Sequence, residues 1–206
     1  LVTAYGYDAK GQKISVKDPR GVVTTTEFNR GGQAVRQVVD PEGLALATSY
    51  EYDTTGKVLK VTDPNGVVKQ YSYDGAGRRV KEVLDPNDPL VPLDYKTGPL
   101  NLVRSYTYDG NGNVVKALDA NGNATNYAYD ANNRMAYTLD ALGNVSRNVY
   151  DSEGRVARTI RYAAPVERDK LPDLPDAIDI ASRVVADPAT DMVEERRYDR
   201  DGRLHF

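Results

Sequence analysis

The chain has 206 residues, with 27 Lys and Arg against 30 Asp and Glu, so no basic excess exists to hold a phosphate backbone and the composition argues against a nucleic-acid reader. Cysteine is absent and His205 is the only histidine, which removes disulfides, thiolate chemistry, a histidine-based triad and a multi-histidine zinc site. No apolar run approaches the ~18 residues of a membrane helix, and the opening residues Leu1 to Asp8 lack the basic-then-apolar order expected of a signal peptide.

The aromatic count is uneven, with 15 Tyr, 2 Phe and no Trp, and such a bias points to a repeated motif. Tyr-Asp occurs at Tyr7-Asp8, Tyr52-Asp53, Tyr73-Asp74, Tyr108-Asp109, Tyr129-Asp130, Tyr150-Asp151 and Tyr198-Asp199, and Phe28-Asn29 fills the slot between the first two. The steps are 21, 24, 21, 35, 21, 21 and 48 residues, a period of 21 broken by insertions. A glycine follows four residues after each aromatic, except at Asn133, where asparagine also tolerates φ > 0. A second mark falls 11 or 12 residues after the aromatic: Asp18-Pro19-Arg20-Gly21, Asp40-Pro41-Glu42-Gly43 and Asp63-Pro64-Asn65-Gly66, with weaker copies beginning at Asp85, Asp119 and Asp140.

Both marks carry a turn mechanism. Aspartate at the first position accepts a hydrogen bond from the backbone two residues on, proline presets φ for the second, and glycine supplies the positive φ that closes the turn. The intervening runs, such as Lys57 to Thr62, Val67 to Tyr73 and Asn113 to Leu118, are rich in β-branched and aromatic residues and read as strands. One repeat is therefore one β-hairpin. The predicted fold class is all-β: tandem antiparallel hairpins of about 21 residues, with one short helix in an insertion.

Tyrosine pairs two residues apart, Tyr50/Tyr52, Tyr71/Tyr73, Tyr106/Tyr108 and Tyr127/Tyr129 among them, share a strand face. Exposed tyrosines can stack on carbohydrate or can hold a sheet together as a ladder across strands. Their spacing follows the repeat rather than a local cluster, which favours the second use.

Two insertions break the period. Residues 87–102 contain Pro89, Pro92 and Pro99 and are expected to form a long loop. Residues 163–190 contain a helix predicted over 173–186, with Asp173 as cap, Pro175 in the first turn and an apolar face of Ala177, Ile178, Ala181, Val184 and Val185. Such a helix can bind a partner, but more commonly covers a nearby apolar sheet face.

Tyr73-Asp74-Gly75-Ala76-Gly77-Arg78, Tyr150-Asp151-Ser152-Glu153-Gly154-Arg155 and Tyr198-Asp199-Arg200-Asp201-Gly202-Arg203 carry the pattern Tyr-Asp-x-x-Gly-Arg, and Asp-x-x-Gly follows at a period near 20. In this the chain resembles the RHS or YD-repeat family, over nearly its whole length apart from the two insertions. The resemblance implies strands wound in a curved, spiralling sheet that forms a hollow shell, as in bacterial RHS toxins, the BC components of Tc toxins and the teneurins. It implies a non-catalytic role, a secreted or cell-surface bacterial location, and a shell that encloses or carries a toxin polypeptide. The alternative is an adhesin-like surface array that touches glycans or proteins. Residues 1–206 are expected to be an arc of a longer array, pairing through its edge strands with the remainder of that array or with neighbouring copies.

No catalytic, cofactor-binding or metal-ligating residue emerges. Asp40-Pro41-Glu42-Gly43-Leu44 matches the Asp-Pro-x-Gly-Leu signature near which toxin members of the family cleave themselves, but it falls early in the array and reads as a repeat turn. Asp109 to Asn113 resembles the opening of an EF-hand loop, yet Val114 and Ala120 stand where glycine and the bidentate glutamate belong. The charge run Glu194 to Arg197 reads as a solvated strand edge.

Overall fold

In a computed structural model, which describes residues 2–85 and 101–205, the chain forms two units, residues 1–103 and 104–206. The first is an antiparallel meander of β1 (Ala4–Tyr7), β2 (Lys13–Lys17), β3 (Val23–Phe28), β4 (Ala34–Val39), β5 (Leu46–Tyr52), β6 (Val58–Thr62), β7 (Val68–Tyr73) and β8 (Arg79–Leu84). The second continues the pattern with β9 (Leu102–Tyr108), β10 (Val114–Leu118), β11 (Ala124–Tyr129), β12 (Met135–Leu139), β13 (Val145–Tyr150), β14 (Val156–Arg161) and β15 (Met192–Glu195), then a short hairpin of β16 (Arg197–Tyr198) and β17 (Leu204–His205). Each strand pairs with its sequence neighbour within its unit, as tandem hairpins require.

Both turn marks build the same turn. At Asp8 the side-chain carboxylate accepts from the backbone N–H of Lys10 (2.8 Å) and of Gln12 (2.9 Å), while Gly11 N–H closes onto the Asp8 carbonyl. Asp18 does the same with Arg20, Val22 and Gly21. This is a type I turn completed by a left-handed residue. Asn133 takes that last position with φ 61°, so asparagine there is a working substitute.

Asp40 is an exception. Its own φ is 55°, its N–H extends the β3–β4 ladder to the Val23 carbonyl at 2.7 Å, and Ala45 rather than the residue four on closes the loop. The turn at Asp40 is therefore wider than its counterparts, which accounts for the 24-residue step around it. Asp85 behaves alike, with φ 51° and its N–H on the Val68 carbonyl at 2.6 Å. Of the insertion expected over 87–102, residues 87–100 lie outside the described residues, and Leu102 already belongs to β9.

Directly paired residues share a sheet face. In the first unit Ser15, Thr25, Val38 and Ala47 line one face, and Tyr50, Val61, Lys69 and Leu84 the other. Both faces mix polar and apolar groups, and Val38 and Val68 are the buried apolar residues described there. Backbone ladders and turns, rather than a packed core, hold this unit.

The second unit has a core. Asn126, Leu139 and Val145 follow one another across β11–β13, beside Ala128, Tyr137 and Ile160. An excursion between β14 and β15 covers this face with Tyr162, Val166 and Ile180, assisted by Leu171, Ala177 and Val184. Leu139 and Ile180 are fully buried, each contributing about 1.5–3 kcal/mol. The excursion leaves and returns at one point, where Ala163 N–H meets Asp191 Oδ1 at 2.9 Å, and it replaces the Asp-x-x-Gly turn of its repeat.

Its helix corrects the expectation over 173–186. Helix α1 spans only Ala177–Ala181, and its cap is Asp176, which forms a capping box with Asp179. Asp173 is engaged elsewhere: its carbonyl accepts from Asn126 and its carboxylate pairs with Lys116. Ala177, Ile180 and Val184 face the sheet, while Ile178, Ala181 and Val185 of the expected apolar face are exposed. The helix covers an apolar sheet face, as expected of its role.

Candidate functional site: the tyrosine-aspartate rim

The repeated chemistry of the chain lies at the Tyr-Asp turns, and its partners fall on a fixed count. Tyr52 Oη donates to the Ala34 carbonyl (2.7 Å), Tyr73 to Val58 (2.9 Å), Tyr129 to Val114 (3.0 Å), Tyr150 to Met135 (2.7 Å) and Tyr198 to Val156 (3.0 Å). Each acceptor stands six residues after the aromatic of the preceding repeat. The hydroxyl thus reaches backward and ties one hairpin to the one before it. Burial raises the pKa of Tyr52 and Tyr129; Asp109 adds to the effect at Tyr129, so both phenols stay protonated donors at neutral pH.

The residue five after each aromatic completes the joint. Arg134 lies 4.3 Å from the centroid of the Tyr150 ring, Arg155 4.6 Å from Tyr198, and Lys57 5.8 Å from Tyr73, all within cation–π range. The arginine is aimed by its own turn: Arg134 Nε donates to Asp130 Oδ2 at 2.8 Å, and Arg155 Nε to Asp151 Oδ2 at 2.7 Å. The same carboxylates accept backbone N–H groups through Oδ1. One aspartate therefore shapes the turn and orients the cation that the next tyrosine covers. At Asp130 the Arg134 side chain, joined by its backbone N–H, holds the carboxyl below the ordinary aspartate value.

The sequence signals for these contacts were the tyrosine and the Gly-Arg pair, but the rungs differ from a ring-on-ring ladder. At Tyr73, Tyr150 and Tyr198 the ring meets a cation and the hydroxyl a carbonyl, both from the preceding repeat. Three joints lack the cation, because Gln12, Gln33 and Asn113 stand at the fifth position; Phe28 also lacks the hydroxyl. A groove of about 480 Å³ opens between Gln12 and Phe28, and a cleft of about 370 Å³ beside Tyr129.

The residues set aside in the sequence are placed plainly. Asp109 Oδ1 accepts from the backbone N–H groups of Asn111 and Asn113, the same turn as in the other repeats. Among the described residues no group of three or more His, Cys, Asp or Glu is arranged to hold a metal ion. Met192 to Glu195 is an exposed strand. Sequence reasoning missed a buried polar anchor beneath the excursion: Asn126, fully buried, donates to the Asp173 carbonyl and accepts from Arg168 Nη2 at 2.7 Å, while Arg168 Nη1 reaches the Asp140 carbonyl. No local pattern marks it, because the partners are 42 residues apart.

Antiparallel hairpins in tandem, joined at one rim by tyrosine, aspartate and a cation, define a YD-type repeat array. The chain carries RHS/YD repeats: the RHS Repeat family matches residues 28–68, 52–88 and 108–145. No curated protein matches it in sequence. Among solved structures, TcdB2-TccC3 is 17% identical over 98% of this chain and 10% of its own, with a TM-score of 0.68. TcdB2-TccC3 without its hypervariable C-terminal region is 14% identical, over 98% and 12%, with a TM-score of 0.56. TcdB2-TccC3-Cdc42 is 15% identical over the same shares, with a TM-score of 0.51. The likeness is one of fold, and this chain spans about a tenth of the length of the chains it matches.

Proposed function

We propose that the chain is a non-catalytic wall segment of an RHS/YD-repeat shell, one that encloses or carries a toxin polypeptide in a secreted bacterial protein. The observation that carries this reading is the rim joint, in which each repeat donates to the backbone of the one before it. A unit whose bonds point to its neighbours, and whose first half has hardly any packed core, is suited to extend an array rather than to fold as a separate catalyst. Its two mixed faces suit a wall with solvent on one side and a polar lumen on the other. Its partners on this reading are the remainder of the same array, or neighbouring copies, and the enclosed polypeptide. The fold shared with TcdB2-TccC3 supports the reading.

Glycan stacking on Tyr73, Tyr150 and Tyr198 is disfavoured, since Lys57, Arg134 and Arg155 already lie over their rings. Among the described residues no helix is long and apolar enough to cross a membrane. The test is protease protection in the longer protein that contains this segment. A C-terminal polypeptide that resists digestion while the array is intact, and is digested when Tyr129 and Tyr150 are both changed to Ala, supports enclosure. Equal digestion in both forms contradicts it.

A further inference from the structure

The glycine four residues after an aromatic has a second role besides its turn, because the side chain five residues after the preceding aromatic crosses the rim to meet it. Gln33 Nε2 donates to the Gly56 carbonyl at 3.2 Å, and a Cβ on Gly77 would stand 2.7 Å from Lys57 Cε. At Gly154 and Gly202 a Cβ would meet Nη1 of Arg134 and of Arg155, each at 3.9 Å. Asn133 breaks this rule, and the residue facing it breaks the other half: Asn113 stands where Arg134 and Arg155 stand in their repeats. The two amides pair across the rim. Asn113 Nδ2 donates to Asp109 Oδ2 at 2.9 Å and to Asn133 Oδ1 at 2.5 Å, and Asn133 Nδ2 returns a bond to Asn113 Oδ1 at 3.3 Å. Asn111 Nδ2 also donates to Asn133 Oδ1, at 3.3 Å. Both donors and the acceptor of the Asn113 amide are thereby engaged.

We infer that Asn133 is a specificity-determining residue for repeat pairing: with Asn113 it forms a matched joint that accepts an amide-bearing repeat before it and rejects a cation-bearing one. An arginine at position 113 would have to share its space with the Asn133 side chain, and a guanidinium offers no acceptor to the Asn133 amide. A glycine at position 133 would remove both bonds that the Asn113 amide makes across the rim. Each residue is therefore suited to the other and poorly suited to the residue that the neighbouring repeats carry. Such a pair has a purpose in an array of one period. Its hairpins are otherwise interchangeable, and misassembly between like units is a characteristic failure of repeat proteins. One polar pair that fixes register by excluding the alternatives is the device that a single asparagine supplies in a coiled coil. The inference concerns the order of repeats within the chain and holds whether or not the array encloses a polypeptide.

The test uses the full 206-residue chain and urea unfolding. Asn133→Gly installs the residue that the other repeats carry, and for the turn alone it should be neutral or better, since glycine adopts the φ of 61° freely. The pairing predicts a loss instead, about fivefold in the folding equilibrium constant, as for one net hydrogen bond. Asn113→Arg should also lose stability, and Asn113→Arg with Asn133→Gly should be more stable than either single variant, because it rebuilds the joint of Arg134 and Gly154. The reverse transplant keeps the test decisive if one of these variants fails to fold. Gly154→Asn and Arg134→Asn should each lose stability, and the two together should regain part of it. Asn133→Gly as stable as the parent, or single losses that simply add in either double variant, would overturn the assignment.

Discussion

Arg155 and Tyr198 lie 43 residues apart in sequence, yet the guanidinium carbon stands 4.6 Å from the ring centroid, and Tyr198 Oη still reaches the Val156 carbonyl at 3.0 Å. The excursion over 163–191 therefore lengthens the chain between two repeats without opening their joint. The wide turn at Asp40, the insertion after Asp85 and this excursion all fall at the Asp-Pro rim or its equivalent. The described Tyr-Asp turns keep one geometry throughout. That division has a physical cause: a Tyr-Asp turn is bonded to the adjacent repeat, so lengthening it would break a contact, whereas the Asp-Pro turns at Asp18 and Asp63 are closed by bonds within their own hairpins.

The hydroxyl is the first prediction. Tyr73→Phe removes the bond to the Val58 carbonyl and should cost about 1 kcal/mol, the usual net value of one hydrogen bond. Phe28→Tyr should have the opposite sign, since the repeat count aims its new hydroxyl at the Lys13 carbonyl. Urea unfolding of both variants against the parent measures the pair; two changes of the same sign contradict the assignment.

The turns make stability depend on acid. Asp74 is held below the ordinary aspartate value of 3.8, first by the backbone N–H of Arg78 and then, against some burial, by the Arg78 side chain. Asp53 and Asp130 are lowered too, chiefly by the side chains of Thr55 and Arg134. A carboxyl whose pKa is depressed on folding contributes stability that is complete above its unfolded value and is lost as pH falls through the folded one. The urea midpoint should therefore be flat from neutrality down to about pH 5 and fall below about pH 4. Asp74→Asn should reduce the slope in that acid window. A midpoint unchanged down to pH 3 contradicts the turn role of these carboxylates.

Two glycines with left-handed backbone separate strain from crowding. Gly66 has φ 82° and open space around a built Cβ, so Gly66→Ala should cost about 1–2 kcal/mol from the backbone alone. At Gly143 the φ is 90° and a Cβ would stand 2.2 Å from the Val166 carbonyl oxygen, where the excursion bonds to the sheet. Gly143→Ala should cost distinctly more and should also raise amide exchange across residues 162–184. Equal costs at the two sites would show that the excursion is not seated on Gly143.

The buried anchor under the excursion is tested by Arg168→Leu. It leaves Asn126 Oδ1 without the 2.7 Å donor and should cost about 1–3 kcal/mol. Asn126→Leu together with Arg168→Leu should recover part of that loss, because the fully buried Oδ1 is then no longer there to be left unpaired, although the Asp173 carbonyl loses its donor. Thermal unfolding of the single and double variants decides it; a double variant no better than Arg168→Leu alone contradicts the pairing.

The hairpins were legible because their signals are local. Aspartate and glycine three apart dictate a turn whatever lies elsewhere, and the 21-residue period fixes how many hairpins follow. The helix boundaries were less legible, because Asp173 and Asp176 are equally good caps in isolation. Contacts of Asp173 with Lys116 and Asn126, both far away in sequence, decide between them. Ile180 escaped notice for a related reason: its burial depends on which face of the helix meets the sheet residues Leu139 and Val145, which are distant in sequence. The rim joint lay between these cases. Tyrosine and Gly-Arg were visible as a motif, but only the register of adjacent hairpins brings Arg134 under Tyr150.

The central claim is that adjacent repeats are joined at the Tyr-Asp rim, and a double-mutant cycle on Arg134 and Tyr150 tests it most directly. The variants are Arg134→Gln, Tyr150→Leu and both together, with stability read from urea unfolding. The joint predicts that the two losses fall short of additivity, with a coupling of about 0.5–1 kcal/mol for a cation on a half-buried ring. Losses that add within error, leaving no coupling between the two side chains, would contradict it.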